Sequence, residues 1–294
     1  MVFINNEGKF NENTYLFDGR AMNIPAFLSV YILEKNGERL MIDTPQEQYC
    51  RKFLVKLKDL NLYPIDKIIL THSHFDHISG IVKLRKLIKE NNIEIFASKN
   101  AVDNLKNPNK MNAVFSVNMN PIENITPLKE GDIINLNGLK LEIINLFGHT
   151  MDSIGIFDKA NKNIFVGDAL IDRMDYETFM PPFMPPEFNE TELLKTYQKV
   201  RDMKDMLNSL SLSHFGVWSD NDMVNVMNEM EDLYHKSKES IIKWYKEDPN
   251  PEKITLKYHD KFIRNSKSHT KENIKVIQFL IEAGLKSLKD IGFI

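Results

Sequence analysis

The sequence has little of what marks several classes of protein. Cys50 is the single cysteine among 294 residues, so an intrachain disulfide is impossible and any metal site must use histidine and carboxylate ligands. We interpret Cys50 itself as a packing residue. No apolar run approaches the roughly 20 residues that a membrane-spanning helix needs. Residues 1–19 show no apolar stretch typical of a secretory signal. We therefore expect a cytoplasmic protein that does not span a membrane.

The sequence also has no excess of positive charge. Its 38 lysines and arginines are balanced by 41 acidic residues, which gives a formal net charge of −3. Such a chain offers no global positive field to a phosphate backbone, so nucleic acid is a disfavoured partner. Hydrophobic residues make up 42% and charged residues 27%, as is typical of a globular protein. A small molecule is the expected kind of partner.

The first half of the chain alternates strand-like and helix-like patterns. Short β-prone runs at 26–33 and 39–42 flank an Asn-Gly turn, which predicts a hairpin. A helical pattern over 46–60 leads to a buried strand at 65–70. Another helical pattern precedes a strand-like run at 93–97. This order of elements favours an α/β fold.

The second half begins with an interruption. Residues 107–127 are rich in proline and asparagine, and we interpret them as an irregular surface connection. Four strand-like runs that suggest an antiparallel meander follow, at 133–136, 139–146, 153–157 and 164–166. Helical spacing of apolar residues dominates from about residue 223. We predict a catalytic domain over 1–222 and a helical C-terminal domain over 223–294.

One short segment concentrates groups that can bind metals. It reads Thr71-His72-Ser73-His74-Phe75-Asp76-His77 and directly follows a predicted buried strand. Alternate residues of an extended loop, here His72 and His74, point the same way, and Asp76 and His77 follow as the chain turns into a helix, so this one loop can serve two adjacent cations. Neutral imidazole and carboxylate are the ligands expected for zinc, iron or manganese. Chance packing rarely crowds this many such groups together, and the segment predicts a metal site.

Three more potential ligands follow strand-like runs in the same way. They are His149, Asp168 and His214. Proteins of the α/β class build their sites on loops at one edge of the sheet, where strand ends meet. We therefore expect these side chains to join the His72–His77 segment.

This pattern resembles the metallo-β-lactamase superfamily, whose members share a His-x-His-x-Asp-His loop, a later histidine, a bridging aspartate and a last histidine. The resemblance covers roughly residues 20 to 216 and implies a four-layer αβ/βα sandwich, here with a C-terminal helical region. It assigns His72, His74 and His149 to a first divalent ion, and Asp76, His77 and His214 to a second. Asp168 would bridge the two ions, with zinc as the expected metal and iron or manganese as alternatives.

The resemblance also implies a chemistry. Two adjacent cations lower the pKa of a shared water toward neutrality, which provides a metal-bridging hydroxide for hydrolysis. Asp76 is the expected catalytic residue because it could orient that hydroxide. In the loop after Asp168, Tyr176 and Asp172 are predicted substrate contacts from position alone. The apolar run 179–186 is interpreted as either a wall of the pocket or a cover over the core. We interpret the hydroxyls near the ligands, such as that of Thr71, as partners of the backbone.

Within the superfamily, a complete ligand set followed by helices resembles the glyoxalase II branch and implies an ester, thioester or lactone as substrate. The helical region resembles that branch only in part; its basic residues are Lys257, Lys261, Arg264 and Lys267. Two alternatives stay open. One is a persulfide dioxygenase with a single iron held by the counterparts of His72, His149 and Asp168, and the other is a phosphodiesterase or nuclease. The apolar faces of the tail could line the pocket or form a homodimer.

Overall fold

Two mixed sheets occupy the centre of the structure, a computed structural model that describes residues 3–90, 92–170, 173–266, 269–270 and 273–294. The strands are β1 (Phe3–Ile4), β2 (Gly8–Lys9), β3 (Thr14–Asp18), β4 (Ser29–Lys35), β5 (Glu38–Ile42), β6 (Lys67–Leu70), β7 (Glu94–Ser98), β8 (Ile125–Leu128), β9 (Ile133–Leu136), β10 (Leu139–Asn145), β11 (Ile154–Asp158), β12 (Asn163–Phe165), β13 (Arg173–Asp175), β14 (Thr178–Phe179), β15 (Ser209–Leu212) and β16 (Gly216–Ser219). The α-helices are α1 (Cys50–Asp59), α2 (Phe75–Ile78), α3 (Ile81–Leu87), α4 (Val102–Lys106), α5 (Asn109–Phe115), α6 (Glu190–Asp202), α7 (Asp220–Glu247), α8 (Pro251–Phe262) and α9 (Ile274–Asp290).

The strands form two seven-stranded sheets and one small hairpin. The first sheet has the order β2-β3-β4-β5-β6-β7-β8, and the second has the order β1-β16-β15-β12-β11-β10-β9. Strands β5 to β8 are parallel neighbours, whereas the second sheet is antiparallel except between β12 and β15. Strands β13 and β14 pair only with each other. The first half of the chain thus builds one sheet, and the second half builds most of the other.

Three hydrophobic clusters show that these elements stack in four layers. One cluster lies between the sheets, where Ile42 and Ile69 of the first sheet meet Ile143 and Phe165 of the second. A second cluster packs α1, α3, α4 and α5 on the outer face of the first sheet. A third packs α6 to α9 on the outer face of the second sheet. The predicted αβ/βα sandwich is confirmed.

Local sequence signals account for several element boundaries. Asn36 and Gly37 have φ angles of 49° and 84°, so the Asn-Gly turn between β4 and β5 forms as predicted. Helix α6 begins after Asn189, whose side chain accepts a hydrogen bond from the backbone N–H of Glu192 at 3.1 Å. These turn and capping residues place the strand and helix ends that carry the site.

The prediction of an irregular connection over 107–127 was wrong in part. Helix α5 occupies Asn109–Phe115, and strand β8 begins at Ile125. Met111 and Phe115 are buried against the first sheet, with Val114 packed alongside. Their three- and four-residue spacing provides an apolar helical face, and its burial outweighs the asparagines and prolines around it.

The helical tail shares a hydrophobic core with the second sheet. Trp218 of β16, Met230 of α7 and Ile277 of α9 belong to one buried cluster. Helix α7 begins at Asp220, close to the predicted change at residue 222. The division into two domains stays a prediction. Within the described residues, no helix has both the length and the apolar character needed to cross a membrane.

Candidate metal centre

The seven predicted ligands meet at one end of the two sheets. Four of them follow β6, in the loop and the short helix α2; they are His72, His74, Asp76 and His77. The other three follow strands of the second sheet. His149 comes after β10, Asp168 after β12 and His214 after β15. The site is therefore assembled from both sheets, and strand ends supply nearly all of it.

The seven side chains form two groups that could each hold an ion. His72, His74, His149 and Asp168 make one group, and Asp76, His77 and His214 make the other. In each group the potential ligand atoms lie within 4.8 Å of one another. All of these residues are buried except Asp76, whose side chain is 14% exposed. The histidines and Asp76 divide between the two groups as the resemblance implies, and their assignment as metal ligands stays a prediction.

Asp168 contacts both groups. Its Oδ2 lies 3.4 Å from His149 Nε2 in the first group and 3.4 Å from His214 Nε2 in the second. Its Oδ1 lies 3.4 Å from Nε2 of His77. One carboxylate that faces both sets of imidazoles has the position required of a bridging ligand.

Polar atoms within the cluster lack hydrogen-bond partners, which fits a bound cation. In the described part of the chain, the Nε2 atoms of His72, His74 and His77 and the Oδ1 atom of Asp168 are buried without such a partner. Buried polar atoms are normally paired, because leaving them unpaired costs free energy. Imidazole and carboxylate donors in sets of three or four are those that divalent transition metals use. The residues present therefore fit the metals that the sequence implies.

Contacts at Nδ1, the ring nitrogen on the other side from Nε2, orient the imidazoles. His149 Nδ1 lies 3.0 Å from the carbonyl oxygen of Pro182, and His214 Nδ1 lies 2.8 Å from that of Phe27. His72 Nδ1 lies 3.1 Å from the hydroxyl of Thr71. Such contacts fix the ring and its tautomer, so that Nε2 is directed into the cluster.

Asp43 is a part of the site that we did not predict. Its Oδ2 lies 2.9 Å from Nδ1 of His77 and accepts a hydrogen bond from the hydroxyl of Thr71 at 2.8 Å. Its Oδ1 accepts a hydrogen bond from the backbone N–H of Thr71 at 2.8 Å. The interpretation of the Thr71 hydroxyl as a backbone partner was therefore wrong. Asp43 follows directly after β5, and this strand-end position is a signal that could have revealed it.

Burial and nearby negative charge have opposite effects on the pKa values of the histidines. Burial lowers the pKa of His72, and it lowers the pKa values of His74 and His149 to about 4. These three rings are therefore neutral at pH 7, as metal ligands must be. Burial also acts on His77 and His214, but the carboxylates of Asp168 and Asp76 outweigh it and raise both pKa values. The carboxylates around the second group thus favour positive charge there.

Glycines beside two ligands allow close packing. Gly148 has a φ of 133°, and a Cβ there would lie 2.3 Å from the Cα of Leu193. Gly167 has a φ of 55°, and its Cβ would lie 2.9 Å from that of Thr71. Both positions combine a positive φ with a lack of space, which only glycine tolerates. These glycines hold His149 and Asp168 against their neighbours.

A cavity of about 50 Å³ opens onto the cluster. Five ligands line its floor: His74, Asp76, His149, Asp168 and His214. The other lining residues are apolar, namely Met22, Phe27, Phe75, Phe115, Met174, Met180, Pro181, Met184, Phe279 and Leu280. Part of the run 179–186 is therefore a wall of the pocket, and helix α9 of the tail contributes to another.

Of the two predicted substrate contacts, the structure describes Tyr176. Tyr176 is half exposed, and its hydroxyl donates a hydrogen bond to Asp222 at 2.6 Å. Its ring packs at the edge of Trp218, with 4.9 Å between the ring centroids. Tyr176 is not among the residues that line the cavity, and its role as a substrate contact stays a prediction. Asp172 lies outside the described residues.

The basic residues of the tail are engaged elsewhere as far as the structure describes them. Lys257 forms an ion pair with Glu247 at 2.8 Å, and Lys261 donates a hydrogen bond to the hydroxyl of Ser240 at 2.7 Å. Arg264 is exposed, and Lys267 lies outside the described residues. None of the three described residues lines the cavity.

Comparison with known families agrees with this geometry. The family model described as the metallo-beta-lactamase superfamily matches residues 25–210, which contain six of the seven clustered residues. The chain belongs to the metallo-beta-lactamase superfamily. His214 lies just beyond the matched range.

Curated members of the superfamily resemble parts of the chain. Hydroxyacylglutathione hydrolase GloC of Haemophilus influenzae is 30% identical over 160 residues, which cover 50% of this chain and 71% of GloC. Hydroxyacylglutathione hydrolase of Serratia proteamaculans is 26% identical, and the match covers 51% of this chain and 50% of that protein. Acyl-coenzyme A thioesterase MBLAC2 of Homo sapiens is 25% identical over 35% of this chain and 41% of its own length. The chain thus spans half or less of the last two relatives.

Solved structures of the superfamily share the fold over nearly the whole chain. A metallo-beta-lactamase family protein from Thermus thermophilus aligns with a TM-score of 0.66 and 17% identity, and covers 95% of this chain and 94% of its own. An archaeal superfamily protein from Sulfolobus tokodaii aligns with a TM-score of 0.64 and 15% identity, over 96% of this chain and 100% of its own. At these identities the likeness concerns the fold alone.

Proposed function

We propose that the protein is a metal-dependent hydrolase that cleaves a small ester, thioester or lactone. The observation that carries this proposal is the double cluster of seven side chains, five of which line an open cavity. Relatives named as hydroxyacylglutathione hydrolases and an acyl-coenzyme A thioesterase act on thioesters, as their names state, and this supports the same class of bond here.

The residues of the cluster suit hydrolysis in distinct ways. Two bound divalent cations would lower the pKa of a shared water and polarise the substrate carbonyl. Asp168 would hold the two groups at a fixed separation, since its two oxygens face both. Asp76 contacts His77 and His214 and also lines the cavity. Its carboxylate can therefore accept a hydrogen bond from the attacking water.

The bond changes are those of a simple hydrolysis. The water oxygen bonds to the carbonyl carbon, and the bond from that carbon to the leaving sulfur or oxygen breaks. One water proton passes to the leaving group, and the acid that is formed loses another to solvent at neutral pH. Asp76 is the residue placed to carry a proton between the attacking and leaving atoms.

A screen of purified protein tests this proposal. Metal content by elemental analysis should approach two equivalents of divalent ion, with zinc as our proposed metal. Loaded protein should hydrolyse members of a panel of thioesters, esters and lactones. A single equivalent of iron with oxygen consumption on glutathione persulfide would instead identify a dioxygenase, and turnover of phosphodiesters alone would identify a phosphodiesterase. Less than one equivalent of any transition metal would overturn the proposal.

Two further proposals concern the cellular location and the oligomeric state of the protein. A cytoplasmic location fits the single buried thiol of Cys50, since disulfides are absent from most proteins of reducing compartments. Fractionation of the source cells tests it.

A homodimer is proposed from the apolar faces of the tail, and sedimentation velocity distinguishes it from a monomer.

A further inference from the structure

The walls of the cavity differ in character from its floor. Buried methionines and phenylalanines stand over the ligands, among them Met174, Met180, Met184, Phe27 and Phe115. They come from the connection before β4, from α5 and from the segment after β12. Separate parts of the chain therefore converge on one apolar surface beside the cluster.

The described part of these walls offers no partner to charged substrate groups. Among the residues that the structure describes, every polar lining residue belongs to the ligand cluster, and no lysine or arginine lines the cavity. A carboxylate or peptide placed along the walls would lose its hydration without gaining a hydrogen bond, and such burial is costly. The walls therefore favour a hydrocarbon group.

The shape and flexibility of the lining suit an unbranched chain. Methionine side chains are flexible and adapt to irregular apolar ligands. Helix α9 closes one side, where Phe279 packs against Phe115 with 6.2 Å between their ring centroids. Its neighbour Leu280 is half-buried in the same wall. A chain that runs from the floor toward α9 would contact carbon and sulfur atoms along its path.

We propose that this cavity binds the acyl side of the substrate and selects an unbranched aliphatic acyl group over hydroxylated or charged ones. This inference rests on the proposed hydrolase function. The leaving thiol or alcohol must depart to solvent, whereas the acyl chain stays attached to the carbonyl carbon throughout. The acyl chain is thus the part of the substrate that can stay in contact with an apolar wall beside the cluster during the reaction.

The test uses metal-loaded full-length protein and one small neutral thiol, N-acetylcysteamine, esterified with acyl groups from acetyl to decanoyl. We expect kcat/KM to rise about fourfold per added methylene until the cavity is filled, as burial of each methylene predicts. The lactoyl ester should be a poorer substrate than the butanoyl ester. Equal rates across the series, or a preference for lactoyl, would overturn the inference.

Variants of α9 locate the chain in this cavity. Leu280→Trp should reduce kcat/KM for the longest acyl group by about tenfold relative to acetyl, because the larger ring shortens the cavity. Leu280→Ala should move the preference toward longer chains. Leu256→Trp makes the same change at an exposed position of α8 and should keep the parent profile. A Leu280→Trp profile identical to that of the parent would refute the placement of the chain.

A binding measurement separates this inference from the proposed function. Calorimetric titration of the loaded protein with acetate, hexanoate and decanoate needs no turnover. Affinity that rises with chain length would support the apolar cavity even if no ester is hydrolysed, in which case only the hydrolase proposal fails. Affinity that is independent of chain length would overturn the inference itself.

Discussion

The Nδ1 atom of His77 lies 2.9 Å from Oδ2 of Asp43, and both side chains are almost fully buried. This contact holds the ring of His77 so that its Nε2 faces Asp168 at 3.4 Å. Asp43 also fixes the backbone of Thr71, the residue that opens the ligand loop. One carboxylate outside the cluster thus positions two parts of it.

Replacement of Asp43 by asparagine should weaken the second group of ligands. The amide keeps the volume but loses the negative charge that supports His77, and loss of such a partner typically costs 10- to 100-fold in metal affinity or activity. Titration with zinc should show one site weakened by about that factor. Asp158→Asn is the matched control, because Asp158 is equally buried at the end of β11 but contacts Asn161 instead. Unchanged zinc affinity in Asp43→Asn would contradict the assigned role.

Asp76→Asn should reduce turnover far more than stability. Asp76 faces the cavity and is the least buried member of the cluster, so few packing contacts depend on its charge. We expect kcat to fall on the order of 100-fold at saturating metal, in the range associated with a lost proton-transfer group. The melting temperature of the loaded variant should stay near that of the parent. Parent-like turnover would remove Asp76 from the mechanism.

Removal of metal should destabilise the fold as well as abolish activity. Ligands from the first sheet, such as His72, and from the second, such as His149, would be joined through the bound ions. At a free metal concentration 100 times Kd, binding to one site adds about 2.7 kcal/mol to the free energy of unfolding. For a chain of this size that corresponds to a melting temperature higher by roughly 4 °C. A chelator should produce the loss, and added zinc should reverse it. A melting temperature indifferent to both treatments would argue against ions at this cluster.

Gly148→Ala should be more destabilising than the same change at another glycine with a positive φ. Backbone strain of about 1–3 kcal/mol is expected at either position. At Gly148 the new Cβ would also lie 2.3 Å from the Cα of Leu193, whereas at Gly138 it would meet no atom within 4 Å. Urea unfolding measures the two free energies. If the free energy of unfolding falls by the same amount in both variants, helix α6 moves aside at little cost, and its close packing against Gly148 does not contribute to stability.

The thiol of Cys50 should be inert in the native protein. Burial raises its pKa to about 12, so the neutral thiol persists through pH 9, and the thiolate is the reactive form. We expect almost no reaction with Ellman's reagent at pH 8 and one equivalent in guanidinium chloride. Rapid labelling of the native protein would show that the helix start at Cys50 opens readily.

The sequence contained most of what defines the site, since each ligand type stands at the end of a strand-like run. His72 and His149 illustrate this, because polar residues in those positions stand out against the apolar strands before them. Asp43 follows the same rule but is a lone acidic residue, and its contact with His77 exists only after β5 and β6 pair. Helix α5 was obscured by its asparagines, because composition and periodicity gave opposite predictions there. Local patterns had no means of showing that Phe279 would reach Phe115.

Helix α9 contributes to the cavity wall but not to the cluster of donors. Every clustered donor lies at or before His214, whereas Phe279 and Leu280 belong to the last helix. Part of the cavity wall is therefore encoded in a stretch of sequence that contributes no donor to the cluster. A recombinant chain that keeps the sandwich but carries another α9 would retain its donor set while presenting a new wall to the substrate, so the tail is the natural place to redesign what this fold accepts.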